Sequence, residues 1–192
     1  MKKSISGIAV TAVLYSAGVV AQINASTTVS WDVTATKDTT SVLVVTPVRP
    51  LAFQYVEGLD QFNTQNGAFD ITIQGQSGAT DFKLLSQLVT NTLRRADGST
   101  LEVGVGWKGQ KLTKTSQTTL VDTAGAESAG LDSLAVASAY ASSDRRSAQG
   151  NFDFTIDSAT SDGVTTQRFK NLRDGLWSGE VKVQFIAVWV TP

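Results

Sequence analysis

The sequence predicts an all-β chain folded as an antiparallel β-sandwich. Apolar and polar residues alternate through a series of short runs, which is the two-residue period of a strand with one buried face. Turn-forming residues separate those runs. No sustained helical period competes with them, so the strands must bury their apolar faces on one another.

The longest alternation opens the chain behind an export-type segment. Residues 1–21 read as a secretory signal, with Lys2 and Lys3 at its start, an apolar run over 5–15 and Val19-Val20-Ala21 at the cleavage site; cleavage after Ala25 is the alternative. Interruptions at Ser6, Gly7, Thr11, Ser16 and Gly18 argue against a membrane anchor. In 22–36 the odd positions Ile23, Ala25, Thr27, Val29, Trp31, Val33 and Ala35 are apolar or small, and every even position is polar. A well-patterned strand so close to a mature N-terminus needs a partner to hold it down.

Strand signals then follow in order. A β-branched run at 42–46 closes at Pro47, and Leu51, Phe53 and Tyr55 alternate with polar or small neighbours before an expected loop at 57–67. Phe69, Ile71 and Ile73 alternate next. Residues 81–94 fit a helix or a strand, and the Asp97-Gly98 turn signal with Leu101, Val103, Val105 and Trp107 beyond it favours a hairpin whose first strand is 81–94. Lys108-Gly109 marks a further turn. The small-residue segment 115–149 is expected to be mostly surface loop, with either a short helix at 131–141 or a weak strand through Leu134, Val136 and Tyr140. Phe152, Phe154 and Ile156 resume alternation, and Val181, Val183, Phe185, Ala187 and Trp189 form a second long strand at the chain end.

Composition removes most chemistry. The chain has no His and no Cys, which excludes Ser-His-Asp and Cys-His catalysis, imidazole or thiolate metal sites, and disulfides. Its 192 residues suit one domain, 37–192, behind the arm 22–36, and can bury a sizeable core. Formal charge is -1; removing Lys2 and Lys3 from the 16 basic residues leaves 14 against 17 acidic, or -3, so no nucleic-acid partner is expected.

The remaining candidate motifs read as structural. Gly104-Val105-Gly106-Trp107-Lys108-Gly109 has dinucleotide-type glycine spacing, but it falls within a strand and its turn rather than before a helix. Glu57 with Asp60, and Asp153 with Asp157, are the nearest approach to paired carboxylates and read as solvated acids, as does the charged tip Asp144-Arg145-Arg146. Trp31, Trp107 and Trp189 occupy inward-type positions of strands, and Trp177 remains open between packing and sugar stacking. No catalytic residue, metal site or cofactor is expected.

Several blocks carry a resemblance to a known family. They are Trp31, 37–41 with 43–47, 51–55 with Glu57-Gly58, 90–93, 98–101, 103–105 and the closing pattern Gly175-x-Trp177-x-Gly179-x-Val181-x-Val183-x-Phe185. On these residues the chain resembles the α-fimbrial chaperone-usher pilins, and within them the major fimbrillins of the enterobacterial common pilus. The similarity runs from Lys37 to the end and is loose over 115–149. The ending Thr191-Pro192 lacks the aromatic penultimate residue of other chaperone-usher pilins.

The resemblance implies an incomplete immunoglobulin-like β-sandwich, completed by a donor strand from a neighbouring subunit. Ile23, Ala25, Thr27, Val29, Trp31 and Val33 become the donor residues, and Val181, Val183, Phe185, Ala187 and Trp189 the wall of the acceptor groove. It further implies a head-to-tail homopolymer, a periplasmic pilus chaperone, an outer-membrane usher, a tip adhesin subunit and a host-cell surface as partners. The expected location is a surface fimbrium of a Gram-negative bacterium, reached through the periplasm and used in adhesion and biofilm formation. The alternative reading is a glycan-binding minor or tip adhesin with a site at Trp177; an exported carboxylate hydrolase ranks below both.

Overall fold

The computed structural model describes residues 42–192. The signal segment and the expected donor residues Ile23, Ala25, Thr27, Val29, Trp31 and Val33 lie outside the described residues. In chain order the strands are β1 (Leu43–Pro47), β2 (Tyr55–Val56), β3 (Gln61–Phe62), β4 (Gln65–Gln74), β5 (Asp81–Thr90) and β6 (Thr92–Arg94). They continue with β7 (Thr100–Trp107), β8 (Gln110–Lys111), β9 (Thr118–Asp122), β10 (Arg145–Thr160), β11 (Thr166–Gln167) and β12 (Lys182–Val190). One-turn helices α1 (Asp132–Ala135) and α2 (Ala137–Tyr140) separate β9 from β10.

Two antiparallel sheets share one core. The larger runs β1-β4-β10-β7-β6, with β8 on β7 and β11 on β10, and the smaller runs β12-β5-β9. Period-two alternation does the work in both: Phe69, Ile71 and Ile73 of β4, Val103, Val105 and Trp107 of β7, and Phe152, Phe154 and Ile156 of β10 all point inward and are buried. Opposite them lie Phe82, Leu84 and Leu88 of β5. The long β10 ties the larger sheet together by pairing with β4 through its first half and β7 through its second, with a register shift at Asp157.

Glycines in β4 and β10 let aromatic rings lie down. Phe69 sits opposite Gly150 across the strand pair, and a Cβ on Gly150 would collide with the Phe69 ring. Phe154, diagonal to Gly67 in the same strand pair, covers it with its ring. The rings thereby cover backbone that would otherwise carry no side chain, as cross-strand aromatic residues do beside glycine.

Four expectations need correction. The Asp97-Gly98 hairpin exists, with Gly98 at φ +88°, but its first strand is only Thr92–Arg94; β5 leaves for the smaller sheet, where it pairs with β12 and β9. Asn91 makes the crossing possible. Its side-chain Nδ2 donates to the Val103 carbonyl at 2.7 Å and its own carbonyl accepts from the Val103 N–H at 2.8 Å, so a buried break between two strands stays largely hydrogen-bonded. Second, 115–149 is not mostly surface loop: it supplies β9, both helices, the start of β10 and the fully buried Leu120, Val121, Leu131 and Leu134. Val136 belongs to no strand and separates the two helices, and Tyr140 ends α2. Third, Leu51 and Phe53 are half-buried but only Tyr55 and Val56 of that run are in a strand. Fourth, the expected loop over 57–67 contains a 3-10 turn (Glu57–Leu59), β3 and the start of β4.

Candidate functional site: an apolar groove between two sheet edges

β1 ends one side of the larger sheet and β12 ends one side of the smaller, and the sandwich is open between them. Along that opening runs a groove of ≈ 1390 Å³. Val45 and Pro47 of β1 form one lip, and Val181, Val183 and Phe185 form the other. Its floor is aromatic: Phe69 stacks on Phe152 at 4.9 Å between ring centroids, and Phe185 reaches across the sandwich to both, at 5.1 and 5.8 Å. Phe154 continues the floor from beside Phe152.

β12 has β5 on one side and, among the described residues, no strand on the other. One row of its backbone N–H and C=O groups is therefore free to bond an incoming strand. Val183, Phe185, Ala187 and Trp189 are only half-buried despite pointing toward the core. Of the five expected wall residues, the structure brings Val181, Val183 and Phe185 into the groove. Ala187 and Trp189 lie further along β12, where Trp189 packs on Phe82 at 5.2 Å.

A second aromatic group closes one end. The β2–β3 hairpin places Tyr55 against Phe62, and Phe62 meets Phe169 and Trp177 edge-on at 5.5 and 6.5 Å. The Tyr55 hydroxyl donates to Asp60 at 3.0 Å, and partial desolvation followed by this bond raises its pKa. Asp60 also lies 3.8 Å from the Lys170 ammonium, which ties the hairpin to the segment before β12.

Arg95 and Ser99 hold Trp177 in place. The indole N–H donates to Ser99 Oγ at 2.9 Å, and Ser99 Oγ donates in turn to Asp97 Oδ1 at 2.6 Å. The hydroxyl and N–H of Ser99 keep the Asp97 carboxyl below its ordinary pKa. Arg95 lies 5.2 Å over the indole and donates to the Arg173 carbonyl at 2.5 Å. With its N–H and one face engaged, and Phe62 in a T-shaped contact with it, Trp177 stands in the wall of the groove.

The Asp153/Asp157 pair and the glycine-spaced motif also have structural roles. Asp153 accepts from Asn66 Nδ2 at 3.2 Å, while Asp157 pairs with Lys111 and accepts from Thr155 Oγ1 at 2.7 Å. Gly104 and Gly106 lie within β7, and Lys108 and Gly109, at φ +49° and +86°, turn the chain into β8. Groove residues missed as such in the sequence include Phe53, Phe62, Leu93, Leu101, Phe169 and Leu172. Alternation marked Leu101 as inward but carries no mark of an uncovered wall, and Phe62, Phe169 and Leu172 stand in short, irregular segments with no period to read.

An aromatic floor, two apolar lips and a free strand edge suit one class of ligand, an extended peptide with alternating apolar side chains. Comparison with known proteins identifies the family. The family described as Fimbrillin MatB matches residues 24–189. The common pilus major fimbrillin subunit EcpA of Escherichia coli O139:H28 (strain E24377A / ETEC) is 47% identical over 196 residues, covering 100% of both chains. The EcpA of Escherichia coli O127:H6 (strain E2348/69 / EPEC) is 46% identical with the same coverage. A looser likeness, at TM-score 0.42 and 11% identity, covers 79% of this chain and 100% of the CooA pilin subunit from enterotoxigenic Escherichia coli. The chain belongs to the MatB fimbrillin family, a family of structural pilus subunits and not of enzymes.

Proposed function

We propose that this pilus subunit polymerises head to tail by donor-strand exchange, its segment 22–36 entering the groove of the next copy. The open apolar groove beside the free edge of β12 carries this reading. In the sequence, Ile23, Ala25, Thr27, Val29, Trp31 and Val33 present one apolar edge at strand spacing, matching a groove that accepts alternate side chains. Burying Val29, Trp31 and Val33 at roughly 1.5–3 kcal/mol each would contribute several kcal/mol before ordering costs, with ladder hydrogen bonds to β12 in addition.

The same groove supports a covering partner before assembly. An uncovered apolar floor beside a free strand edge is an aggregation hazard, so the subunit requires a periplasmic chaperone that covers it until an outer-membrane usher brings the next arm. The resulting fibre of a Gram-negative cell carries a tip adhesin subunit to host surfaces and supports biofilm formation. Deleting 23–33 should leave a folded subunit that forms no fibres by electron microscopy. An added peptide of sequence 22–36 should then stabilise that truncated subunit, by about 2.7 kcal/mol at a hundredfold excess over its Kd. Fibres assembled by the deletion variant would overturn the reading.

A further inference from the structure

The described residues contain three Asp-Gly sequences, at 97–98, 162–163 and 174–175, and the fold treats them differently. Aspartate followed by glycine is prone to cyclise, because glycine offers no side chain to hinder attack by its own backbone nitrogen and bends readily into the required geometry. The reaction needs two freedoms, a carboxyl able to swing and a nitrogen able to approach it.

Two of the three have lost both. Asp97 Oδ1 accepts from the Ser99 N–H at 3.1 Å and Ser99 Oγ at 2.6 Å, and the Gly98 N–H is bonded to the Arg95 carbonyl at 3.1 Å. Asp162 Oδ1 accepts from the N–H groups of Val164 and Thr165 at 2.9 and 2.6 Å, while its Oδ2 accepts from Thr165 Oγ1 at 2.9 Å. The Gly163 N–H is bonded to Thr160 Oγ1 at 2.9 Å. Both carboxyls are held as anions, the less electrophilic form, by these donors.

Asp174-Gly175 has neither restraint. Both residues are exposed and outside helix and strand. Among the described residues, the Asp174 carboxylate makes no hydrogen bond or ion pair and the Gly175 N–H makes no backbone bond. We propose that Asp174-Gly175 is a site of spontaneous succinimide formation and isoaspartate conversion in the folded subunit. The Gly175 nitrogen bonds to Asp174 Cγ, the Cγ–OH bond breaks, and one water leaves with the amide proton. A second water then opens the ring at the backbone carbonyl carbon. The chain now runs through the former side-chain carbonyl, and the original backbone carbonyl becomes a free carboxylate; no oxidant or reductant takes part.

The position gives the change a consequence. Asp174 and Gly175 line the groove, and Arg95 packs so closely on Gly175 that a Cβ there would lie 2.5 Å from its Cζ. An isoaspartate adds one backbone methylene at the clasp that Arg95 makes on the Arg173 carbonyl and on Trp177.

Site-resolved mass spectrometry with isoaspartyl methyltransferase labelling tests this on the purified chain aged at neutral pH and physiological temperature. In the folded chain, isoaspartate should accumulate at 174 about tenfold or more faster than at 97 or 162. In urea the three Asp-Gly sites should converge, and Asn66-Gly67, held in β4 when folded, should deamidate. Asp174→Glu, whose longer side chain disfavours the five-membered ring, should abolish the signal at 174. Equal accumulation at 97 or 162 in the folded chain would overturn the proposal, as would an unreactive 174 in a preparation whose urea control reacts.

Discussion

β5 and β12 are neighbours in one ladder, paired from Asp81–Val190 to Thr90–Lys182, yet their inward residues meet different fates. On β5, Phe82, Leu84 and Ser86 are completely buried and Leu88 is 5% exposed. On β12, Val183, Phe185, Ala187 and Trp189 are all only partly buried. Both strands present alternate residues to the core, and the inward set of β12 is the more uniformly apolar of the two. The difference is what stands on either side: β5 lies between β12 and β9, with Leu131 and Leu134 also packed into the core, whereas β12 ends its sheet beside the groove. One subunit thus contains a closed half that is finished by its own chain and an open half whose edge strand and apolar floor stay uncovered among the described residues.

The largest effects should come from the closed half. Leu84→Ala should cost the isolated subunit about 2–5 kcal/mol in urea unfolding, because a completely buried leucine leaves a cavity on all sides. Phe185→Ala should cost clearly less than the roughly 3–5 kcal/mol of a fully buried phenylalanine, and its deficit should grow when the 22–36 peptide is bound. Equal costs with and without peptide would erase the distinction between the two halves.

Next in size is the groove floor. Gly150→Ala must displace the Phe69 ring, and Phe69 stacks on Phe152 and makes a tilted contact with Phe185. A loss of about 1–3 kcal/mol is expected, as for overpacking elsewhere, together with weaker peptide binding by calorimetry. At the groove end, Arg95→Met keeps the stem but removes the cation over Trp177 and the donor to the Arg173 carbonyl. We expect about 1 kcal/mol and a shift in tryptophan emission, with no change in the closed half.

The smallest effect is that of pH, and it should touch both halves. Asp97 and Asp162 in turns of the larger sheet and Asp122 at the end of β9, bonded to Lys83 at 2.8 Å, all have lowered pKa values. A carboxyl whose folded pKa lies below its unfolded one contributes stability above the unfolded value, and loses it as pH falls through the folded value. Stability should therefore be level near neutrality and fall below the ordinary aspartate value of 3.8. Urea midpoints across the acid range check this, and Asp162→Asn should flatten the fall.

Much of this architecture was legible. Alternation identified the inward residues of β4, β7, β10 and β12, and Asp97-Gly98 located a real hairpin. It misassigned the first strand of that hairpin because a two-residue period states which face is buried and says nothing about which strand lies alongside. The hydrogen bonds of Asn91 that let the chain change sheets have no counterpart in local pattern. Residues 115–149 were misread for a related reason: a five-residue strand and two four-residue helices are too short to establish a period, although Leu120, Leu131 and Leu134 seal the closed half.

Taken alone, the sequence determined the all-β class, the inward face of β4, β7, β10 and β12, the exclusion of His- and Cys-based chemistry and, through its resemblance, the fimbrillin family. These follow from local spacing and residue type. Only the tertiary structure decided which strands become sheet edges, and so where the groove lies. β1 and β12 come from opposite ends of the described chain, and the floor between them joins Phe69, Phe152 and Phe185. Such contacts are set by long-range pairing, which local alternation does not encode.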